Sequence, residues 1–419
     1  MVKCSFCKRP RNEVKNLISS SDTDETSICD RCVRSAMKEL EVGSRKGGFE
    51  KPKEEPLKPP MEIKAHLDAY VIGQDQAKRT IATAVYNHFK RRQVAKEGKL
   101  EIEVAGGLEA VELDKSNILL LGPSGTGKTY LARTIAKMLN VPFFVADATR
   151  LTQAGYVGDD VETLLQGLLQ DAQGDVERAQ WGIIFLDEVD KIAKSGGRDR
   201  SGYRDVTGEG VQQSLLKLLE GSKVNVPRSG RSGTSMNATD VLDTTNILFI
   251  CAGSFAGIEP IIEKRLNKGS RLGFGSESRE KFDQTKTYLA ACPEDLLEFG
   301  IIPEMLGRLQ VLTTTIELSE EDMIRVLTEP RNSIIKQFRA LFKLDGVSLE
   351  FDPEALLAIA RKAKKIPTGA RALRSIVEEA LGQVMYSLPG SGAIQVRVTE
   401  QTIETGVAMV TKENLRGCA

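Results

Sequence analysis

Between residues 117 and 316 short, nearly unbroken apolar runs alternate with amphipathic stretches. The runs fall at 117–121, 142–146, 183–186, 246–251 and 311–316. Strands that are apolar along their whole length are covered on both faces, so this pattern predicts a parallel sheet flanked by helices, an α/β fold. From Ser319 onward the period is mostly helical. Ser319 with Asp322 reads as a capping box, and Asp352-Pro353 as an N-cap followed by a first-turn proline. Leu373, Ile376, Val377, Ala380, Leu381 and Val384 recur at helical spacing and give one apolar face. A short strand at 393–398 finishes this smaller, mainly helical domain. Ahead of the alternating region, residues 41–60 carry Gly, Pro, Lys and Glu with almost nothing to bury and read as a linker. The expected division is therefore 1–40, a linker 41–60, a large domain 61–317 and a small domain 318–419.

Composition narrows the class. Apolar residues make up 41% and charged residues 28% of 419, the balance of an ordinary globular protein. Formal net charge is zero, so there is no global basic field to hold nucleic acid. No apolar run reaches the roughly 18–20 residues that a membrane helix needs. The opening MVKCSFCKRP has neither the apolar core of a secretory leader nor an Arg-rich amphipathic stretch. Together with unevenly spread cysteines, this start suggests a reducing interior, the bacterial cytoplasm.

Candidate chemistry begins at Gly122-Pro123-Ser124-Gly125-Thr126-Gly127-Lys128-Thr129, which follows the strand NILLL and opens the helix starting at Tyr130. This is a phosphate loop in its required strand–loop–helix setting. Its glycines let successive N–H groups face phosphate oxygens, Lys128 reaches the β- and γ-phosphates, and Thr129 offers an oxygen to Mg²⁺. Downstream, the strand 183–186 runs into Asp187-Glu188. A carboxylate pair at the tip of a buried strand calls for a cation or a reacting water. Asp187 would hold Mg²⁺ through water and Glu188 would polarise the attacking water. The two motifs together point to nucleotide hydrolysis.

Two arginines stand out. Arg371, in a turn expected to start a helix with Thr368 as N-cap, is disfavoured there by the helix dipole and suits a nucleotide phosphate. Arg308, between the two domains, suits a finger supplied to a neighbouring subunit. A surface ion pair is the alternative for each. Gly155-Tyr156-Val157-Gly158 reads either as a mobile loop with a sticky tip or as a turn packed on its own core. At the amino terminus, Cys4-x-x-Cys7 and Cys29-x-x-Cys32 have the spacing of a closed, structural Zn²⁺ site. A unit this small needs such a staple. Val33, Ala36, Met37 and Leu40 follow on one helical face.

The cysteine head, YVIGQDQAK at 70–78, GPSGTGKT, GYVGDD, FLDEVDKI, GEGVQQSLLKLLEG at 208–221, IPEMLGRL and TGARALRS resemble the ClpX family, in the same order and over nearly the whole chain. HslU shares many of the ATPase motifs but lacks the cysteine head. The resemblance implies a AAA+ fold and a homo-hexameric ring that uses ATP to unfold proteins, pulls them through a central pore and delivers them to the ClpP peptidase. It implies that Val71 and Ile72 lie against adenine and that Tyr130 borders the nucleotide. It makes Tyr156 and Val157 the main pore-loop grip, Arg204 part of a second pore loop, and Leu272-Gly273-Phe274 a loop that docks on the peptidase. It also implies that the zinc head dimerises and receives substrates or adaptors. The resemblance breaks after the GEGVQQ helix. There the family carries an Arg-Lys-His cluster, whereas this chain reads Pro227-Arg-Ser-Gly-Arg231-Ser-Gly-Thr, with Arg228 and Arg231 but no Lys-His pair. A nucleic-acid remodeller is the rival class, but the head has no dense basic stripe or interleaved aromatics. A remodeller of protein complexes that works without a peptidase is a second alternative.

Overall fold

A computed structural model of the chain describes residues 3–19, 27–36, 57–97, 100–104, 107–111, 113–152, 160–194, 208–227, 239–268 and 284–412. Tyr156, Val157, Arg204, Arg228, Arg231, Leu272, Gly273, Phe274, Met37, Leu40 and linker residues 41–56 lie outside the described residues. The chain separates into two compact units, Met1–Leu57 and Lys58–Ala419.

In the first unit, β1 (Leu17–Ser19) and β2 (Ser27–Cys29) pair antiparallel, and residues 30–36 are helical. Of the apolar face expected after Cys32, Val33 is half-buried and Ala36 is exposed.

The second unit opens with a proline-started helix at Pro60–Asp68, followed by α1 (Asp75–Glu97) and a hairpin of β3 (Leu100–Val104) and β4 (Gly107–Val111). The sheet strands are β5 (Ile118–Leu121), β6 (Phe143–Asp147) and β7 (Ile183–Asp187), then, after a hairpin of β8 (Lys223–Pro227) and β9 (Thr239–Asp243), β10 (Leu248–Gly253) and β11 (Val311–Thr314). They lie in the order β11-β5-β10-β7-β6, every pair parallel. All five expected runs are in this one sheet. β5 and β10 are buried at every position, as a central strand covered on both faces must be. Helices α2 (Lys128–Leu139), α3 (Thr163–Asp171) and α4 (Glu209–Glu220) pack around it, each with an apolar stripe turned inward. The short helix α5 (Pro303–Arg308) leads into β11.

A second core forms beyond β11. Its longer helices are α6 (Glu320–Thr328), α7 (Ile334–Leu344), α8 (Pro353–Lys364) and α9 (Ala372–Ser387). Leu373, Ile376, Val377, Ala380, Leu381 and Val384 of α9 are all buried in it. The capping box forms, with Ser319 Oγ accepting the Asp322 N–H at 3.0 Å. Asp352 occupies the N-cap position of α8, but its carboxylate takes Arg397 Nε at 2.8 Å and makes no cap bond, because the longer-range charge partner is stronger. The strand at Ala393–Val398 does not finish the domain. It is the middle strand, β13, between β12 (Ser348–Phe351) and β14 (Met409–Lys412). The fifth apolar run is shorter as a strand than its sequence pattern suggests. β11 stops at Thr314, and Thr315 and Ile316 belong to the connection between the two cores.

A nucleotide cleft and a four-cysteine cluster

The phosphate loop leaves β5 at Gly122, whose φ of 141° and close approach to Thr315 leave no room for a Cβ. At Gly125 (φ 80°) a Cβ would sit 2.2 Å from the Thr368 carbonyl oxygen, so glycine is needed for the loop to touch the second core. Gly127, also left-handed, starts α2. Lys128 Nζ donates to the Gly122 and Pro123 carbonyl oxygens at 2.6 and 2.9 Å. Burial holds its ammonium down to about 8, even though Asp187 and Asp190 favour the charge. Arg371 is close enough to lower it further. Two cations from different cores thus converge on one space, the arrangement expected around an anion.

Asp187 ends β7, and its Oδ2 accepts the Thr129 hydroxyl at 3.2 Å. Two hard oxygen donors side by side, with further room in the cleft, would fit Mg²⁺ held directly by the Thr129 hydroxyl and through water by Asp187. Glu188 follows with φ 58°, a left-handed conformation that a residue with a Cβ adopts at a cost of roughly 1–2 kcal/mol. Such a cost at a strand tip marks a place where side-chain direction matters more than backbone comfort.

These residues line a cleft of about 560 Å³ between the two cores. Ser124, Gly125, Thr126, Gly127, Lys128, Thr129 and Tyr130 form one side, Val71 and Ile72 another, and Asp187 and Glu188 the floor. The second core contributes Arg371 together with Asn332, Ser333 and Gln337. Gly122 and Pro123 lie at the loop's base. Arg371 does not stand inside a first helical turn capped by Thr368. Thr368 makes no side-chain cap, residues Gly369–Arg371 form a separate 3₁₀ turn, and Arg371 is itself the N-cap residue of α9. The left-handed Gly369 (φ 54°) opens that turn, which runs directly into α9, and Arg371 lines the cleft. Arg308 is not in this cleft. It ends α5, and its Nε and terminal nitrogen reach Glu220 Oε1 at 3.1 and 3.0 Å. Its carbonyl is fixed by Asn117 Nδ2 at 3.0 Å.

Ser254, at the end of β10, has a definite partner. Its N–H and Oγ donate to the two oxygens of buried Asp190 at 3.1 and 2.9 Å, at the edge of the cleft. Sequence reasoning missed Asp190 as that partner, and missed the wall at Asn332, Ser333 and Gln337. That wall is the start of α7 with the two residues before it, and the helix shows only ordinary amphipathic spacing. Nothing local marks it as facing a ligand.

In the first unit the sulfurs of Cys4, Cys7, Cys29 and Cys32 all lie within 4.8 Å of one another. Cys4–Cys32 is 3.9 Å and Cys7–Cys29 is 3.6 Å. Thiolates about 2.3 Å from a tetrahedral zinc stand about 3.8 Å apart, so the four cysteines fit that ion. The Cys29 N–H donates to Cys4 Sγ at 3.3 Å, a bond that favours thiolate.

A parallel sheet bearing a phosphate loop, an Asp-Glu pair on a neighbouring strand and a second domain that closes the cleft define a AAA+ ATPase. Residues 113–312 match the model of the AAA domain (Cdc48 subfamily), residues 318–403 that of the C-terminal, D2-small domain, of ClpB protein, and residues 2–41 that of the ClpX C4-type zinc finger. The chain is 46% identical over 389 residues to the ATP-dependent Clp protease ATP-binding subunit ClpX of Treponema denticola, covering 92% of this chain and 90% of that protein. The chain belongs to the ClpX family. It is an ATP-binding, ATP-hydrolysing member with a zinc-binding finger. Among the described residues no helix is long and apolar enough to cross a membrane.

Proposed function

We propose that this ATPase is a protein unfoldase and translocase that works as a homo-hexameric ring, draws polypeptide through a central pore and delivers it to a ClpP peptidase. The observation that carries the reading is the convergence of Lys128 and Arg371, from separate cores, on one cleft. A nucleotide bound there bridges the two domains, so its hydrolysis changes the angle between them. The name of the Treponema relative, an ATP-binding subunit of an ATP-dependent protease, supports the same reading.

In this scheme Val71 and Ile72 hold the base, and Tyr130 borders it. The loop N–H groups and Lys128 hold the phosphates. Thr129 and Asp187 would hold Mg²⁺, which, when bound, neutralises charge on the phosphate oxygens. Glu188 orients and polarises the attacking water. Arg371 senses the phosphates from the small domain, and Arg308 reaches the nucleotide of the neighbouring subunit, which its place outside its own cleft permits. Tyr156 and Val157, with Arg204, grip substrate. Leu272, Gly273 and Phe274 dock on the peptidase, and the finger receives substrates or adaptors. The nucleotide domains correspond to 61–317 and 318–419, joined to the finger (1–40) by the linker at 41–60. No nucleic-acid or membrane partner is needed, and a cytoplasmic setting fits.

The test is ATP-dependent unfolding of a stable fluorescent protein with an exposed tail, with and without ClpP. We expect fluorescence loss only with ATP. Glu188→Gln should abolish it, and Tyr156→Ala should weaken it while ATP is still consumed. Stimulation of the ATPase by DNA, with no unfolding of any tail, would sink the reading.

A further inference from the structure

The chain passes from the first core to the second between the end of β11 at Thr314 and Ser319, the N-cap of α6. Both walls of the nucleotide cleft grip this connection, at adjacent residues. On the phosphate side the Thr126 and Thr315 hydroxyls lie 2.7 Å apart, and Thr315 is fully buried. A Cβ on Gly122 would come within 2.2 Å of Thr315 Oγ1, so the base of the loop rests on the same residue. On the wall that carries Val71 and Ile72, the Gln74 amide makes two bonds to the Ile316 main chain. Its Nε2 donates to the carbonyl oxygen at 2.7 Å and its Oε1 accepts the N–H at 2.9 Å. Gln74 is buried and holds φ 59°, so this side chain is directed at the connection at some backbone cost.

The hydroxyl contact is not needed to hold Thr315 in place, because the Thr315 N–H already donates to the Leu121 carbonyl oxygen at 2.7 Å. The two hydroxyls have two protons and three short contacts to fill: each other, Pro123 O from Thr126 at 3.0 Å, and Leu121 O from Thr315 at 3.2 Å. When Thr126 gives its proton to Pro123, Thr315 must donate to Thr126. When Thr315 donates to Leu121, Thr126 must donate to Thr315. The pair therefore has two arrangements of its protons.

We propose that the Thr126–Thr315 hydroxyl pair transmits the state of the phosphate loop to the interdomain connection, with the Gln74–Ile316 bonds as its fixed point. Thr315 is a positioning residue that acts through Thr126. The inference rests on the motor reading above and supplies a route by which phosphate occupancy turns the small domain. A loop that rearranges around phosphate carries Thr126 with it. A short buried bond resists stretching, so Thr315 follows or the bond is lost. Ile316 is held, and the second core begins two residues on, at Leu318.

The test uses the full-length protein with Thr315→Val, which keeps the shape and removes the hydroxyl, and Thr315→Ser, which keeps the hydroxyl and removes the methyl. Hydrogen exchange at the Leu318 amide, with the held Ile316 amide as internal reference, is compared with and without a non-hydrolysable ATP analogue, and ATP consumed per substrate unfolded is counted. Wild type and Thr315→Ser should show a nucleotide-dependent change in exchange. Thr315→Val should lose it and use about two- to tenfold more ATP per unfolding event, the factor that one neutral hydrogen bond represents. A purely packing role predicts the reverse order, with serine impaired and valine harmless, and that result overturns the proposal. So does a wild-type protein whose exchange at the Leu318 amide ignores nucleotide, or a Thr315→Val protein that responds like wild type. If Thr315→Val does not fold, the double variant Thr126→Val/Thr315→Val, which leaves no hydroxyl facing a methyl, takes its place. A retained response in it overturns the link. If wild type hydrolyses ATP but unfolds nothing, the motor reading fails while the exchange comparison still decides the link.

Discussion

Raising the pH from 7 to 9 should weaken ATP binding about tenfold through Lys128. Burial lowers this ammonium from its ordinary 10.5 to about 8, and the positive Arg371 adds to the effect. Phosphate oxygens bind the charged form. Between pH 7 and 9 the charged fraction of a group titrating near 8 falls from about nine-tenths to about one-tenth, which is about tenfold in affinity, or about 1.4 kcal/mol. The stability effect of the same group has the opposite direction. A lysine whose folded value is depressed burdens the fold below about 8, and that burden is relieved as pH rises towards 10.5. Alkaline loss of binding through Lys128 is therefore not an unfolding effect. Tyr130, raised above its ordinary value by burial, stays neutral throughout. The assay is equilibrium titration of a fluorescent ATP analogue into the Glu188→Gln protein at pH 7, 8 and 9. Lys128→Gln, which binds weakly, should show no pH dependence over this range. A wild-type loop whose affinity stays within about twofold from pH 7 to 9 would refute the argument.

Three further outcomes follow from buried groups elsewhere. Asn117 is buried, donates to the Leu219 and Arg308 carbonyl oxygens and accepts the Phe249 N–H. Asn117→Leu strands all three and should cost about 3 kcal/mol or more in urea unfolding of the ATPase unit. His88 is pushed down to about 3, chiefly by burial and by the nearby Arg91, although the bond its Nε2 donates to the Asn246 carbonyl oxygen favours the charged form. Its unfolded form takes up a proton near 6.5, so stability should fall by about 2 kcal/mol between pH 6.5 and 5, a slope that His88→Gln flattens in a thermal melt series. Cys29→Ser should lower zinc content and open residues 3–36 to protease while the melting of Lys58–Ala419, a separate compact unit, stays unchanged.

The parallel sheet was legible in the sequence because a strand covered on both faces must be apolar at every position, and five such runs stand out. The phosphate loop was legible for a related reason: its glycines, lysine and threonine are adjacent in the chain, so the site is nearly complete within one turn. The four cysteines are likewise two local pairs. Asp352 misled because a cap is judged from neighbours in sequence, and its actual partner, Arg397, comes from a strand far along the chain. Thr368 misled because its own backbone is helical and its side chain makes no cap bond, so a 3₁₀ turn at Gly369–Arg371 leads into the helix instead of a capped first turn.

What the chain determined by itself is therefore the set of groups whose chemistry is local: the apolar strands, the phosphate loop, the Asp187-Glu188 tip and the zinc cysteines. Only the tertiary structure decided which distant groups meet them. It set Arg371 beside Lys128, Asp190 on Ser254, Glu220 on Arg308, and Thr126 against Thr315. The reason is physical. Hydrophobic periodicity reports which face of an element is buried, but the mate of a buried polar group is fixed only once the elements pack and each donor must find an acceptor within about 3 Å.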